Sequence, residues 1–306
     1  MMFDRRSVIA GAAAIACAAC VPLDQSTRGR TEAKLRILES GLGGRLGVAI
    51  IAPSAGASLA YRGGERFPLA STFKTSLAAL ALKMEQEGKL DLNQRVTWTK
   101  EDLIYHTPFT GDRIETGATL RELAWAAQTT SDNLAANLVL GKVGGPEALT
   151  AFWRSIGDEH SRLDRLETKL NFVPPGEERD TTTPAAMAQT LSTLLGSQSG
   201  GPLASENAAE LRQWMTDSTT GLKRVRAGLP TNWVAGDKTG NSSDWDGAMG
   251  YLRGDIGFVD TPTGDRIYFA AYHQSPLGET IADERVDATF AEVGRTLAFW
   301  SSAATA

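Results

Sequence analysis

Ser71 and Lys74 stand three residues apart in the stretch LASTFKTSLAALALKME, residues 69–85. A hydroxyl and an amine at that spacing share one face of a helical turn. Phe73, Leu77, Leu80 and Met84 recur at helical spacing beside them, so the stretch reads as a core helix with two polar groups at its start. A serine hydroxyl is a weak nucleophile until a neighbouring base takes its proton, and a partly desolvated lysine is able to do that. The competing reading is structural: Ser71 caps the helix and Lys74 extends its stem outward. Only partners elsewhere in the chain separate the two.

Three clusters qualify as partners. Ser131-Asp132-Asn133 falls between two expected helices, where the same residue types also serve as caps. Lys238-Thr239-Gly240 closes an expected strand, and by itself reads as a solvated strand end and turn. The third is SRLDRLETKLNFVPPGEERD, residues 161–180, a polar, Pro-containing connection flanked by helices. Long irregular loops of this kind inside compact domains usually carry function.

The elements that must position these groups are legible at coarse grain. Residues 31–42 are patterned as a helix, followed by short strands in RLGVAIIAP and ASLAYRG. The middle of the chain is mostly helical. TLRELAWAAQT opens with a capping box from Thr119 to Glu122, NLAANLVLGKVGG ends at glycines, and TPAAMAQTLSTLL puts Pro184 at a first helical position. Beyond about residue 230, TNWVAGDKTG, DIGFVDT and RIYFAAYH read as strands, with TPTGD as a hairpin turn, and IADERVDATFAEVGRTLAFW closes the chain as a helix. Strands at both ends with a helical insert imply two lobes: an antiparallel sheet flanked by terminal helices (about 27–62 and 214–306) and an all-α lobe (about 63–213). A site between the lobes is the natural expectation.

Bulk properties narrow the function classes. The 306 residues carry a formal net charge of −5 with no basic runs, which argues against nucleic acid as a partner. The three histidines, His106, His160 and His273, show no ligand spacing, so a metal-dependent hydrolase is disfavoured. The N-terminus, MMFDRRSVIAGAAAIACAACVPLDQ, has Arg5-Arg6 before a short apolar run and small residues, as an export signal over 1–26 does, with the arginine pair pointing to the twin-arginine route. A run of about a dozen apolar residues is too short to span a bilayer. Both cysteines, Cys17 and Cys20, lie inside this segment, so the mature chain has none; lipid attachment at either is the less favoured alternative. The expected location is periplasmic or secreted.

S-x-x-K, then S-D-N, then K-T-G in that order resembles the class A serine β-lactamases of the penicillin-recognising serine hydrolases, over essentially the whole mature chain. Residues 164–171, DRLETKLN, resemble the omega loop that separates this class from the penicillin-binding peptidases. The resemblance implies a two-lobe α/β fold and hydrolysis of β-lactams through an ester on Ser71. Lys74 would tune proton movement, Ser131 would relay a proton to the departing nitrogen, and Glu167 with Asn171 would hold the water that releases the ester. Asn133 would hold the substrate's side-chain amide, and Asp132 would tie its turn together. Lys238 and Thr239 would bind the substrate carboxylate, and backbone N–H groups of Ser71 and Asn241 would bind the oxyanion. Arg224 and Arg253 match two alternative carboxylate-supporting positions, with Arg253 preferred, and Arg165 would pair with Asp180 to shape the loop. No cofactor, metal or stable membrane partner is implied, and a monomer is expected. The alternative is a penicillin-binding D,D-peptidase or an acylated sensor, neither of which needs Glu167.

Departures from the class bear on substrate spectrum. The segment NSSDWDGAMGYLRGDIG after K-T-G is several residues longer than usual, so Trp245 or Asp246 would reshape the cleft or merely lengthen a hairpin. Asn241 replaces a smaller residue, and His106 stands where the class has a tyrosine or tryptophan at the cleft rim, here read as having little role. Ala70 excludes the disulfide that some carbapenem-hydrolysing members carry next to the nucleophile.

Overall fold

The computed structural model of the chain describes residues 25–196, 201–243 and 247–304. Arg5, Arg6, Cys17 and Cys20 of the expected export segment, and Trp245 and Asp246, lie outside the described residues.

The first helix, α1 (Gln25–Leu42), begins earlier than the sequence pattern suggests and passes through Gly43 and Gly44 into β1 (Arg45–Ala52). β2 (Ala57–Tyr61) returns beside it. A two-residue strand, β3 (Phe67–Pro68), precedes a 3₁₀ turn over Ala70–Thr72 and then α2 (Phe73–Gln86). β4 (Arg95–Val96) pairs with β5 (Ala118–Thr119), which runs into α3 (Leu120–Thr129), α4 (Asn133–Val143) and α5 (Gly145–Ser155). After the long loop, β6 (Thr181–Thr182) pairs with β3 and leads to α6 (Pro184–Leu195) and α7 (Ser205–Thr216). β7 (Val234–Ser242), β8 (Leu252–Asp260), β9 (Arg266–Gln274) and α8 (Asp283–Ala304) complete the chain.

The main sheet is antiparallel in the order β2-β1-β9-β8-β7, so the two ends of the chain meet where β1 pairs with β9. Side chains alternate across a strand. Val48, Ile50, Phe269 and Ala271 therefore pack against Leu35 of α1 and Phe290, Leu297 and Trp300 of α8. Ala49, Ala270 and Tyr272 face the other way and join the core of the helical lobe. Each buried residue of the size of Phe290 or Leu297 contributes about 1.5–3 kcal/mol relative to exposure. This is the mixed architecture that the strand and helix patterns imply.

The start of α2 differs from its sequence pattern. All ten residues from Phe73 to Leu82 are buried, so this is a central helix surrounded by protein, not one with a single apolar stripe. Its polar side chains consequently need protein partners. Ser76 accepts from the Trp153 indole at 3.0 Å, and Thr75 donates to Gln128 at 2.8 Å. Ser71 does not cap it. It lies in the preceding 3₁₀ turn, and the capping position falls to Thr72, whose hydroxyl bonds Leu69 O and the Tyr272 hydroxyl.

Local signals at other helix ends hold in the structure. Thr119 and Glu122 form both arms of a capping box on α3, and Thr183 caps α6 with Pro184 following. Replacing Thr119 by alanine is expected to lower stability by about 1 kcal/mol while leaving activity unchanged, as read from urea unfolding and turnover of the same preparation.

Candidate active site

Three pieces of chain converge where the helical lobe meets β7. The 3₁₀ turn and α2 bring Ser71 and Lys74; the α3–α4 turn brings Ser131 and Asn133; β7 brings Lys238 and Thr239. β7 packs closely on the Ser71 turn at Gly240, where a Cβ would stand 3.0 Å from Thr72 Cγ2 and 3.1 Å from Leu69 O, tighter than ordinary contact. Ala70 and Ser131 hold positive φ values of 42° and 61°, conformations that cost non-glycine residues of order 1–3 kcal/mol and that cluster at functional sites.

Lys74 is fully buried and its ammonium is enclosed by acceptors: Ser131 O at 2.9 Å, Asn133 Oδ1 at 2.5 Å and Glu167 Oε1 at 3.0 Å. Burial pushes its pKa down, and the Glu167 charge opposes that shift. The Ser71 hydroxyl donates to the same Glu167 oxygen at 3.3 Å. Hydroxyl and amine therefore meet through the carboxylate, an arrangement that residue spacing alone does not reveal. Lys238, equally buried, donates to Ser131 Oγ at 3.0 Å, while Lys74 Nζ lies 3.5 Å from that hydroxyl on the other side. Burial, and secondarily repulsion from Lys74, hold the Lys238 pKa well below the ordinary lysine value.

Glu167 is delivered by a loop that is heavily tied. Asp180 accepts from the backbone of Asp164 and Arg165 and from Arg165 Nε at 2.5 Å, so the expected pair forms. At the loop's base, buried Asp158 accepts from His160 N, Ser161 N, the Ser161 hydroxyl and the Thr190 hydroxyl. Asn171 Nδ2 donates to Glu167 Oε2 at 2.7 Å, and Asn171 Oδ1 is buried without a hydrogen-bond partner. Asn137 was not signalled by any motif, yet its amide clamps the Glu167 backbone from both sides, at 3.0 Å to N and 2.9 Å to O. The one available hint is its i, i+4 relation to Asn133, which puts both amides on one face of α4.

Asp132 ties its turn as expected, accepting from Phe109 N, Thr110 N and the Thr110 hydroxyl while capping α4 through Ala135 N. Asn133 spends its oxygen on Lys74 and its amino group on Tyr105 O at 2.8 Å. At the rim, His106 sits at φ 61° with Nε2 3.0 Å from the Thr130 carbonyl. The side chain that stands free there is its neighbour Tyr105, 83 % exposed, which the sequence reading passed over.

Tyr105, Asn171, Thr220, Arg224, Asn241 and Arg253 line a cleft of about 370 Å³ leading away from Lys238 and Thr239. The Thr239 hydroxyl donates to the Thr220 hydroxyl at 2.7 Å. Arg224 is buried and reaches under β7 to Gly254 O at 2.7 Å and Asn241 Oδ1 at 2.5 Å, with Asp287 at 3.3 Å. Arg253 is instead pinned by Asp283 at 2.6 Å and by Ser242 O at 3.1 Å, on the side of the long β7–β8 connection. No group of three or more metal-ligating side chains is found among the described residues.

The antiparallel sheet and the helical lobe thus enclose a hydroxyl, two buried amines and a buried carboxylate between them. The chain belongs to the β-lactamase enzyme family, whose family model matches residues 30–300, and its relatives are class A enzymes. It is 44 % identical to β-lactamase FAR-1 of Nocardia farcinica over 78 % of this chain and 73 % of that one. It is 45 % identical to an imipenem-hydrolyzing β-lactamase of Enterobacter cloacae, over 74 % and 76 % of the two chains. Among solved structures, an ancestral class A β-lactamase superposes with a TM-score of 0.81 at 46 % identity, covering 87 % of this chain and 98 % of that one.

Beneath the site, Asp237 is buried beside Lys238 with Arg226 Nη1 3.6 Å away, and desolvation raises its pKa to about 6. Unfolded aspartate titrates near pH ~3.9, so the folded chain binds more protons between those values and this group's contribution to stability falls as pH rises through them. Asp237→Asn is expected to flatten the decline of melting temperature between about pH 4 and pH 7, leaving the part due to buried Asp255, whose pKa is also raised by desolvation. Parallel profiles for parent and variant in a thermal-melt series would contradict this.

Proposed function

We propose that this chain hydrolyses the β-lactam ring of penicillin- and cephalosporin-type antibiotics through an ester on Ser71, and so confers resistance to them. The carrying observation is the continuous hydrogen-bonded set running from Ser71 through Glu167, Lys74 and Ser131 to Lys238. In this reading Ser71 Oγ attacks the lactam carbonyl and its proton passes to the Glu167–Lys74 pair. The C–N bond then breaks as Ser131 gives its proton to the nitrogen and is reprotonated through the flanking lysines. The substrate carboxylate lies along Lys238, Thr239 and Thr220. Asn133, already engaged with Lys74, would meet a substrate amide with what remains of its hydrogen-bonding capacity. For release, a water held by Glu167 and the free Asn171 Oδ1 attacks the ester, Glu167 takes its proton, and the Ser71 hydroxyl is restored. The peptidase and sensor alternatives are not favoured, because neither needs a carboxylate and an amide held over the ester as Glu167 and Asn171 are.

The same reading keeps residues 1–26 as an export leader and a periplasmic or secreted, monomeric mature chain. No helix among the described residues is long and apolar enough to cross a membrane.

Glu167→Ala is expected to slow deacylation by about 10²–10⁴-fold, the usual worth of general-base assistance. Intact-mass spectrometry should then show penicillin persisting on Ser71, and Ser71→Ala should show no adduct. Parental turnover by the Glu167 variant with no adduct would remove Glu167 from the deacylation step. A second expectation concerns the two arginines. Arg224→Ala should raise the KM for a simple penicillin by about tenfold or more, the scale of a lost charge-assisted contact, and Arg253→Ala by less. Steady-state kinetics with the reverse order would reassign the carboxylate support to Arg253.

A further inference from the structure

Gln128 plays no part in the chemistry above, yet it joins α2 to β7 and lies on the helix that leads to Ser131. It lies on α3, three residues before Ser131, and is fully buried. Its Oε1 accepts from the Thr75 hydroxyl at 2.8 Å, and its Nε2 donates to the Asp237 carbonyl at 2.9 Å. Thr75 follows Lys74 on α2, and the Asp237 carbonyl belongs to the peptide that joins it to Lys238 on β7. One buried amide thus connects the backbones that carry Lys74, Ser131 and Lys238. Those are the three groups in line at the site, with Ser131 Oγ 3.0 Å from one ammonium and 3.5 Å from the other. An apolar side chain of equal volume would fill the same space without fixing any distance. An amide used at both ends fixes two, because a shift of either neighbour leaves a buried polar group unpaired.

We infer that Gln128 is a positioning residue that sets the spacing of Lys74, Ser131 and Lys238, and thereby the proton delivery to the departing nitrogen during acylation. This rests on the reading of the site given above. Gln128 makes no hydrogen bond to Glu167 or Asn171, so the release step does not depend on it in the same way.

The test separates the two half-reactions of the full-length mature enzyme with a penicillin, by rapid quench and mass spectrometry, in Gln128→Met and in Thr75→Val. Methionine keeps the unbranched volume and removes both hydrogen bonds; valine keeps the shape of threonine and removes one. Gln128→Met is expected to slow acylation by about 10–100-fold, the scale of a misplacement near 1 Å, with deacylation within about twofold of the parent. Thr75→Val should show the same split at about 3–10-fold. The pH profile of acylation should move in both variants, since the two lysines' surroundings change. Unchanged acylation in a folded Gln128→Met variant would overturn the proposal, as would an equal loss in both steps, which is what a merely structural role gives. If Gln128→Met does not fold by circular dichroism, Thr75→Val decides by the same criterion. A parent enzyme that forms no ester on Ser71 would defeat the reading of the site itself, whereas a parent that acylates normally alongside an unaffected variant would defeat only the positioning role.

Discussion

A lysine ammonium with no exposure to solvent, Lys74, is the constraint around which this molecule is arranged. An unpaired buried charge costs several kcal/mol even after relaxation, so the fold must bring acceptors to it. It does so with three acceptors from two segments: Asn133 and the Ser131 carbonyl from the α3–α4 turn, and the Glu167 carboxylate from the long loop. Each supplier is itself fixed. Asn133 is held by Tyr105, and Glu167 is gripped along its backbone by Asn137 and at its carboxylate by Asn171. The shape of the loop therefore follows from electrostatics inside the lobe as much as from its own sequence.

A second buried amine makes the problem harder and the site more useful. Lys238 is forced close to Lys74, and burial drives both pKa values down. Between the two lies one hydroxyl, that of Ser131, in a backbone conformation that serine rarely adopts. Strain at Ser131 and Ala70 persists because neighbouring contacts over-determine both positions. At Gly240 β7 packs closely on the Ser71 turn, with little room for a Cβ.

The cleft beyond Lys238 shows how two chemically equal residues come to differ. Arg224 and Arg253 both reach the same cavity, and each has an aspartate from the start of α8. Arg224 threads behind β7 and binds the Gly240 and Gly254 carbonyls, whereas Arg253, itself on β8, binds the Ser242 and Leu252 carbonyls at the strand ends beside the β7–β8 connection. Spacing in the chain gives no access to that difference.

What the sequence by itself determined is local or carried by order. Capping at Thr119 and Thr183, glycines after α4, short apolar runs in β1 and β9, and the order of S-x-x-K, S-D-N and K-T-G are legible along the chain, and the elements they imply are those observed. The loop from Asp164 to Asn171 was legible through its resemblance to the class's omega loop, and the implied Arg165–Asp180 and Glu167–Asn171 contacts form. Only the tertiary structure decided that Ser71 bonds Glu167 and not Lys74, that Asn137 grips the Glu167 backbone, that Tyr105 and not His106 stands free at the rim, and that Gln128 links α2 to β7. Each of these is a contact between groups tens of residues apart or a choice between adjacent side chains. Such contacts depend on ångström-scale placement of whole helices and strands, which is set by the packing of the entire core and leaves no periodic trace in the chain.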